Sequence, residues 1–129
     1  MVIDTSVIVA IMLHEPDAPK LLANMAEAKT RSTSACSYLE ASMVVIARKG
    51  DDDVAENIDR ALYEANIAIV PVSVQQAKIA REAFIRFGKG RHPAGLNFGD
   101  CFAYALARQT NSTLLFKGND FSKTDIRVA

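Results

Sequence analysis

Short apolar runs alternate with helical segments along the whole chain. Apolar and β-branched residues dominate Met1–Asp4, Ile67–Val72 and Thr113–Lys117. Thr30–Thr33 is predicted to form a turn or a short strand. Strands that are apolar throughout, rather than at every second position, are typical of parallel strands covered on both faces. The pattern therefore predicts an α/β fold with a parallel central sheet and helices on both faces.

The segments between these runs carry helical periodicity and helix-end signals. Helices are predicted to begin near Thr5, Pro16, Ser34, Asp53, Ser73 and Asp100. Ser34 and Ser73 are good N-cap residues, and Gly50 is a typical helix end. The acids Asp51, Asp52 and Asp53 are favourably placed at a helix N-terminus. Residues 88–99 hold four of the six glycines and are predicted to be a mobile connection.

Length and composition indicate one domain spanning residues 1–129. The chain is 50% hydrophobic, which is enough to form a substantial core without disulfides. Fifteen Lys and Arg balance fifteen Asp and Glu, so no overall charge indicates a nucleic acid or membrane partner. The two cysteines, Cys36 and Cys101, have no pairing motif and are predicted to be reduced, buried thiols in a cytoplasmic protein. Met1–Leu13 is too short to span a bilayer.

Four acidic residues stand at positions where a surface role is hard to assign. Asp4 ends the first apolar run, Asp100 opens an almost wholly apolar helix, and Asp120 follows the strand-like run 114–116. Glu40 falls on an apolar helical stripe made of Cys36, Leu39, Met43, Ile46 and Ala47. A carboxylate is costly to bury unless a cation or a hydrogen-bond donor compensates it. Since sites in α/β sheets form at the carboxyl ends of strands, the four acids are predicted to converge there.

Each acid also has a purely structural explanation. Asp4, Asp100 and Asp120 can cap or stabilise helix N-termini, and Glu40 can reach solvent or pair with a base such as Arg48. If the acids do converge, their oxygen-only donor set suits Mg²⁺ or Mn²⁺. Zinc is less suitable, because neither the cysteines nor His14 and His92 have ligand spacing. Such a centre is suited to hydrolysing phosphodiester bonds.

Four short motifs, in order, resemble the signature of PIN-domain ribonucleases. They are Ile3-Asp4-Thr5-Ser6, Ser37-Tyr38-Leu39-Glu40, Gly95-Leu96-Asn97-Phe98-Gly99-Asp100 and Gly118-Asn119-Asp120-Phe121. Their order and near-complete coverage of the chain resemble the VapC toxins of type II toxin–antitoxin modules. Asn119 departs from the pattern, because some relatives carry another carboxylate before the last acid.

The resemblance implies a single PIN domain and an endoribonuclease that depends on Mg²⁺ or Mn²⁺. By matching positions, Asp4, Glu40, Asp100 and Asp120 would be the metal-binding catalytic acids, and Ser6 would support the site through its hydroxyl. The implied partners are an RNA substrate and an inhibitory VapB-type antitoxin.

Two further expectations concern surfaces. Residues 78–92 carry six basic or histidine side chains against one acid, Glu82, and we expect Arg86, Lys89 and Arg91 to contact RNA phosphates. The alternative is a solvated helix face with a basic last turn. The apolar fraction is high for a small domain, so helix faces at 21–28 and 54–65 are predicted to hold a homodimer.

Two other classes of function stay open from the residues alone. Asp4 followed by Thr5 after a first strand also suits a phosphatase or phosphotransferase with an aspartate nucleophile, although Ser6 stands where such enzymes usually carry a second acid. A small α/β binding module, with all four acids in caps and ion pairs, is the non-enzymatic alternative. Glu40 is the residue that it explains least well.

Overall fold

A computed structural model describes residues 1–51 and 53–129 of the protein. Within them, parallel strands β1 (Val2–Ile3), β2 (Arg31–Ser34), β3 (Ile67–Val70) and β4 (Leu114–Leu115) form one sheet in the order β3-β2-β1-β4. The chain moves outward from β1 to β2 and β3, then returns to place β4 on the other side of β1. The order therefore reverses between β1 and β4, and ligand sites in such sheets form beside that reversal.

Helices connect the strands and cover both faces of the sheet. They are α1 (Thr5–Met12), α2 (Ala18–Ala26), α3 (Ala35–Lys49), α4 (Val54–Glu64), α5 (Val74–Phe87) and α6 (Phe98–Gln109), followed by a short 3₁₀ helix (Phe121–Lys123). Ser34 and Ser73 accept hydrogen bonds as N-caps, and Gly50 ends α3 in the left-handed conformation, as predicted. The predicted α/β fold and its parallel sheet are confirmed. Over the described residues, no helix has the length and apolarity needed to cross a membrane.

Successive residues of the short central strands face opposite cores. Val2 and Leu114 pack with residues of α5 and α6 on one face, whereas Ile3 and Leu115 pack with residues of α1 to α4 on the other. All four side chains are almost fully buried. Because alternate strand residues point to opposite faces, two apolar residues per strand are enough to join both layers.

The structure corrects the predicted orientation of α3. Its core-facing residues are Ser37, Ala41 and Val45, whereas Leu39 is 57% and Met43 is 62% exposed. Ile46 is also exposed, so the prediction that these larger side chains form a packed stripe is wrong. Small residues let α3 lie close to the neighbouring helices and sheet, and hydropathy alone gives such residues little weight.

The protein's own core covers the apolar faces of α2 and α4 only in part. Leu21, Met25, Val54, Ile58 and Leu62 are buried, whereas Leu22 is 45% exposed and borders an apolar cavity of about 300 Å³ between α1, α2 and α4. Asp53 occupies the N-cap of α4 without a side-chain hydrogen bond, and Asp52 lies outside the described residues.

The glycine-rich connection between α5 and α6 has a defined hydrogen-bonded path. The backbone N–H of Lys89 donates to the carbonyl of Leu96 at 2.9 Å, and the N–H of Leu96 donates to the carbonyl of Phe87 at 2.9 Å. Ala94 and Leu96 are buried in the core. The connection therefore holds the start of α6 against the end of α5, which its glycine content did not predict.

Candidate active site

Asp4 lies at the end of β1 and caps α1. Its Oδ2 accepts a hydrogen bond from the backbone N–H of Ser6 at 3.0 Å and one from the Ser6 hydroxyl at 2.6 Å. The Ser6 Oγ in turn accepts the backbone N–H of Lys117 at 2.9 Å, which joins this site to the chain just after β4. Asp4 is only 4% exposed. Burial raises the pKa of Asp4; the hydrogen bonds from Ser6 oppose this rise, and the charge of Glu40 adds to it.

Asp100 lies in the first turn of α6, within a capping box. Its Oδ2 accepts the backbone N–H of Asn97 at 2.9 Å, while the Asn97 Oδ1 accepts the backbone N–H of Asp100 at the same distance. The helix begins at Phe98, two residues before the predicted start. The pKa of Asp100 is raised to about 6, with burial as the largest cause. The hydrogen bond from Asn97 opposes the rise, and the charges of Asp4, Asp120 and Glu40 contribute to it.

Glu40 extends from the middle of α3 to the start of α6. Its carboxylate lies directly against Gly99, the residue before Asp100, and its charge acts on both Asp4 and Asp100. The alternative of a pair with Arg48 is not observed, since no ion pair within 4.0 Å involves Glu40 in residues 1–51 and 53–129. The carboxylate therefore faces the predicted site, although the stripe used to predict this orientation was wrong.

Asp120 is the most exposed of the four acids. It stands at the N-cap position of the 3₁₀ helix that follows β4, but its side chain makes no capping hydrogen bond there. Its charge adds to the rise in the pKa of Asp100. Asp120 is therefore electrostatically coupled to the site without a structural role in the 3₁₀ helix cap.

The four acids form an electrostatic cluster without a basic partner. The nearby Lys117 instead directs its Nζ to Glu15 and Asp17, and the other ion pairs seen among the described residues join Arg86 and Arg108 to Asp125. As the side chains stand, the described part of the chain contains no group of three or more His, Cys, Asp or Glu residues arranged to hold a metal ion. The acids thus influence one another without forming a closed ligand cage.

Several residues of the site had no role in the sequence prediction. Asn97 is the N-cap of α6, and its spacing from Asp100 is a capping-box pattern that was readable from the sequence. Lys117 reaches Ser6 through its backbone and reaches Glu15 and Asp17 through its side chain. Because these contacts span about a hundred residues of chain, no local signal predicts them.

The three predicted RNA-contacting residues differ in their availability. The Arg86 Nη2 donates to Asp125 at 3.0 Å, and its guanidinium lies 4.6 Å from the centre of the Phe87 ring. The Arg91 Nε donates to the carbonyl of Ile85 at 3.2 Å, which leaves the rest of its exposed guanidinium facing outward. Lys89 is exposed in the turn before α6. Arg86 therefore has a structural role at the C-terminal segment.

Two aromatic residues of α6, Phe98 and Tyr104, occupy different environments. Tyr104 is buried and donates its hydroxyl hydrogen bond to Asp125 at 2.6 Å, as expected for a packing residue. Phe98 is 76% exposed and meets Phe102 edge to face, with ring centres 5.0 Å apart. It borders a cavity of about 400 Å³ between α5 and α6. Helix packing therefore buries Tyr104 but leaves Phe98 accessible.

Comparison with known proteins identifies the class to which this chain belongs. The PIN domain family matches residues 1–127. Ribonuclease VapC of Mycolicibacterium smegmatis is 49% identical over 126 residues, covering 98% of this chain and 97% of that protein. Ribonuclease VapC30 of Mycobacterium tuberculosis is 48% identical over 126 residues, covering 98% and 95% respectively. The chain therefore belongs to the PIN domain family, in its branch of VapC ribonucleases.

Solved structures agree with this assignment at the level of the fold. The crystal structure of M. tuberculosis VapC20, described as a sarcin-ricin loop cleaving toxin, superposes with a TM-score of 0.79 at 18% identity, covering 99% of this chain and 97% of that one. A toxin–antitoxin complex from Klebsiella pneumoniae gives a TM-score of 0.75 at 16% identity, with 99% and 95% covered. The topology described above is thus shared with chains of quite different sequence.

Proposed function

We propose that this protein is an endoribonuclease dependent on Mg²⁺ or Mn²⁺ and the toxin of a VapBC-type toxin–antitoxin module. The observation that carries the proposal is the cluster of Asp4, Glu40, Asp100 and Asp120 beside the sheet reversal, coupled to one another with no basic partner. The charges of neighbouring carboxylates that no cation compensates add to the rise in the pKa of Asp4 and of Asp100. Relatives named as VapC ribonucleases support the reaction type.

The donor chemistry of the cluster fits a hard divalent cation. All four side chains offer carboxylate oxygens, which are preferred ligands of Mg²⁺ and Mn²⁺. Asp4, Glu40, Asp100 and Asp120 would hold the ion, with some side-chain rotation from their present positions. A bound ion of this kind supplies Lewis acidity to the scissile phosphate and activates water for attack.

The protein's own residues hold and orient these acids. Ser6 fixes Asp4 through its hydroxyl and backbone N–H, and the capping box fixes Asp100 relative to the first turn of α6. Fixing Asp4 and Asp100 in this way favours catalysis, because these two groups need little rearrangement when substrate arrives. Lys89 and Arg91, exposed at the turn before α6, would hold RNA phosphates. Arg86 is omitted from this role because Asp125 already binds it.

Assembly and location form the rest of the proposal. A VapB-type antitoxin would inhibit the protein, in line with the toxin–antitoxin complex among the structural neighbours. A homodimer would form through exposed apolar side chains, of which α3 offers Leu39, Met43 and Ile46. The free thiols Cys36 and Cys101 suit the reducing cytoplasm, where we expect the protein to act.

The two alternatives explain fewer of these observations. An enzyme with an aspartate nucleophile usually carries a second acid two residues further on, where this chain has Ser6, whose hydroxyl donates to Asp4. A binding module accounts for the caps made by Asp4 and Asp100. It does not account for the Glu40 side chain reaching across to α6, or for Asp120, whose side chain makes no capping hydrogen bond.

Cleavage of a structured RNA by the purified protein tests the proposal. We expect cleavage with Mg²⁺ or Mn²⁺, none in excess chelator, and recovery when the metal is restored. Asp100→Asn, purified in parallel, serves as the control for contaminating nucleases and should be inactive. Full cleavage in chelator, or equal cleavage by Asp100→Asn, would refute the proposed chemistry.

A further inference from the structure

Gly99 lies where α6 begins and where the carboxylate of Glu40 arrives. It is buried in the first turn of the helix, directly before Asp100. A Cβ atom built on Gly99 would stand 2.7 Å from both Cδ and Oε1 of Glu40 and closer still to Oε2. Gly99 is not among the glycines with positive φ. The position therefore requires glycine for space rather than for backbone conformation.

The atoms that a methyl group would displace belong to a movable group. The three atoms nearest to the added Cβ all belong to the end of the Glu40 side chain, which has three rotatable bonds. A helix accepts alanine more readily than glycine, by about 0.5–1 kcal/mol in a helix interior. A methyl group at residue 99 would therefore move the carboxylate and leave the helix in place.

We propose that Gly99 is a positioning residue for the nuclease reaction, because its missing side chain provides the space in which the Glu40 carboxylate lies beside Asp100. The inference rests on the proposed function only in naming the reaction; the contact between Gly99 and Glu40 stands independently of it. It assigns a function to a residue with no side-chain chemistry. The acid that it positions comes from α3, 59 positions earlier in the chain.

A double-mutant cycle in excess chelator tests the contact without metal or RNA. Gly99→Ala is made in the wild type and in Glu40→Ala, and thermal unfolding is measured for all four proteins. We expect Gly99→Ala to raise the melting temperature more in the Glu40→Ala background, because the obstructing carboxylate is gone. Equal shifts in both backgrounds would overturn the proposed contact. The proposed contact would also be overturned if Gly99→Ala failed to fold both in the wild type and in the Glu40→Ala background.

Activity measurements then test the positioning role. We expect Gly99→Ala to lower the cleavage rate by about 10²-fold, as displacement of a group by about 1 Å can do. In a Glu40→Asp background the shorter side chain clears the methyl group, so the same substitution should cost much less. Wild-type activity in Gly99→Ala, or an equal loss in both backgrounds, would overturn the inference. Absence of metal-dependent cleavage by the wild type would instead refute the proposed function, while the unfolding cycle still reports on the contact.

Discussion

At the scale of single residues, helix capping and the candidate site use the same carboxylates. Asp4 caps α1 and Asp100 belongs to the capping box of α6, so both acids have the helix-capping role that is the alternative to a functional one. Both nevertheless lie within electrostatic range of Glu40, and their pKa values are raised. The two interpretations of these acids were therefore not exclusive, because a cap uses only part of the hydrogen-bonding capacity of a carboxylate.

Ser6 provides the sharpest prediction at this scale. Ser6→Ala removes one hydroxyl that donates to Asp4 and accepts from the backbone of Lys117. Since one partner is a buried carboxylate, we expect the free energy of unfolding to fall by about 1–3 kcal/mol, together with a lower cleavage rate. Chemical denaturation and single-turnover cleavage would measure the two effects.

Ser42→Ala is the matched control for this substitution. Its hydroxyl donates a hydrogen bond at 2.8 Å to the carbonyl of Tyr38 on the same helix, and not to an acid. We expect the Ser42 variant to keep wild-type cleavage. If both variants cleave RNA like the wild type, Ser6 has only a structural role.

At the scale of elements, α3 illustrates where sequence patterns mislead. The helix and its caps were predicted correctly at Ser34 and Gly50, but its buried face was not. Ser37 and Ala41 form that face, and Leu39 and Met43 point outward. Hydropathy ranks side chains by their free energy of transfer to an apolar phase, whereas close contacts between helices favour small side chains. Periodicity therefore located the helix along the chain but did not predict which of its faces packs against the core.

The outward face of α3 leads to a prediction about assembly. We expect Met43→Glu to convert the proposed dimer to a monomer, because a charge on each copy would be buried at a self-complementary contact. Sedimentation velocity over a range of concentrations would measure this. Tyr63→Glu, at an 86% exposed position on α4, should leave the dimer intact. Dissociation by both substitutions, or by neither, would contradict an interface at α3.

The C-terminal segment gives a prediction about pH. Partial burial raises the pKa of Asp125, but hydrogen bonds from Tyr104 and Arg86, with the charges of Arg86 and Arg108, outweigh it and hold this pKa below the ordinary value of 3.8. A lowered pKa means that the folded state binds this proton more weakly. The stabilisation is therefore complete above about pH 4 and is lost as pH falls through the folded-state pKa.

Asp125→Asn should accordingly destabilise the protein at neutral pH and matter less in acid. The difference in unfolding free energy between the two proteins isolates this group, since other carboxylates titrate in both. Denaturant unfolding at several pH values would measure that difference. A gap that stays constant down to about pH 2 would mean that Asp125 does not stabilise the fold through its charge.

The turn between α5 and α6 carries the prediction about RNA. Lys89→Ala with Arg91→Ala should weaken RNA binding and reduce the salt dependence of the binding constant, by about 0.7 in log–log slope for each lost phosphate contact. Arg86→Ala is the control, because that side chain pairs with Asp125. We expect the control to lower stability while keeping the wild-type slope. An unchanged slope in the double variant would identify Lys89 and Arg91 as a solvated surface.

At the scale of the whole molecule, the sequence predicted the sheet edge that gathers the acids. Asp4 and Asp120 follow strands, and those strands, β1 and β4, are the neighbours between which the strand order reverses. The spatial relation of Glu40 to Gly99 was beyond such reasoning, because it depends on how α3 packs against α6. Local patterns thus located the acids along the chain, and packing determined their contacts with one another.

The last prediction concerns the stability of the whole molecule with and without metal. Repulsion among the four acids makes the metal-free fold less stable than it would be with one acid neutralised, so Asp100→Asn and Glu40→Gln should unfold in chelator at or above the wild-type temperature. A ligand that binds only the folded state stabilises it by about 2.7 kcal/mol at a hundred times its dissociation constant. We therefore expect Mg²⁺ or Mn²⁺ to raise the wild-type melting temperature clearly and those of both variants much less.

Thermal melts of the three proteins across a metal titration would measure these shifts. Glu40→Gln is the more informative variant, because a mid-helix residue has no cap to lose and its effect reports on charge alone. Equal metal-induced shifts in all three proteins would mean that the ion is bound elsewhere.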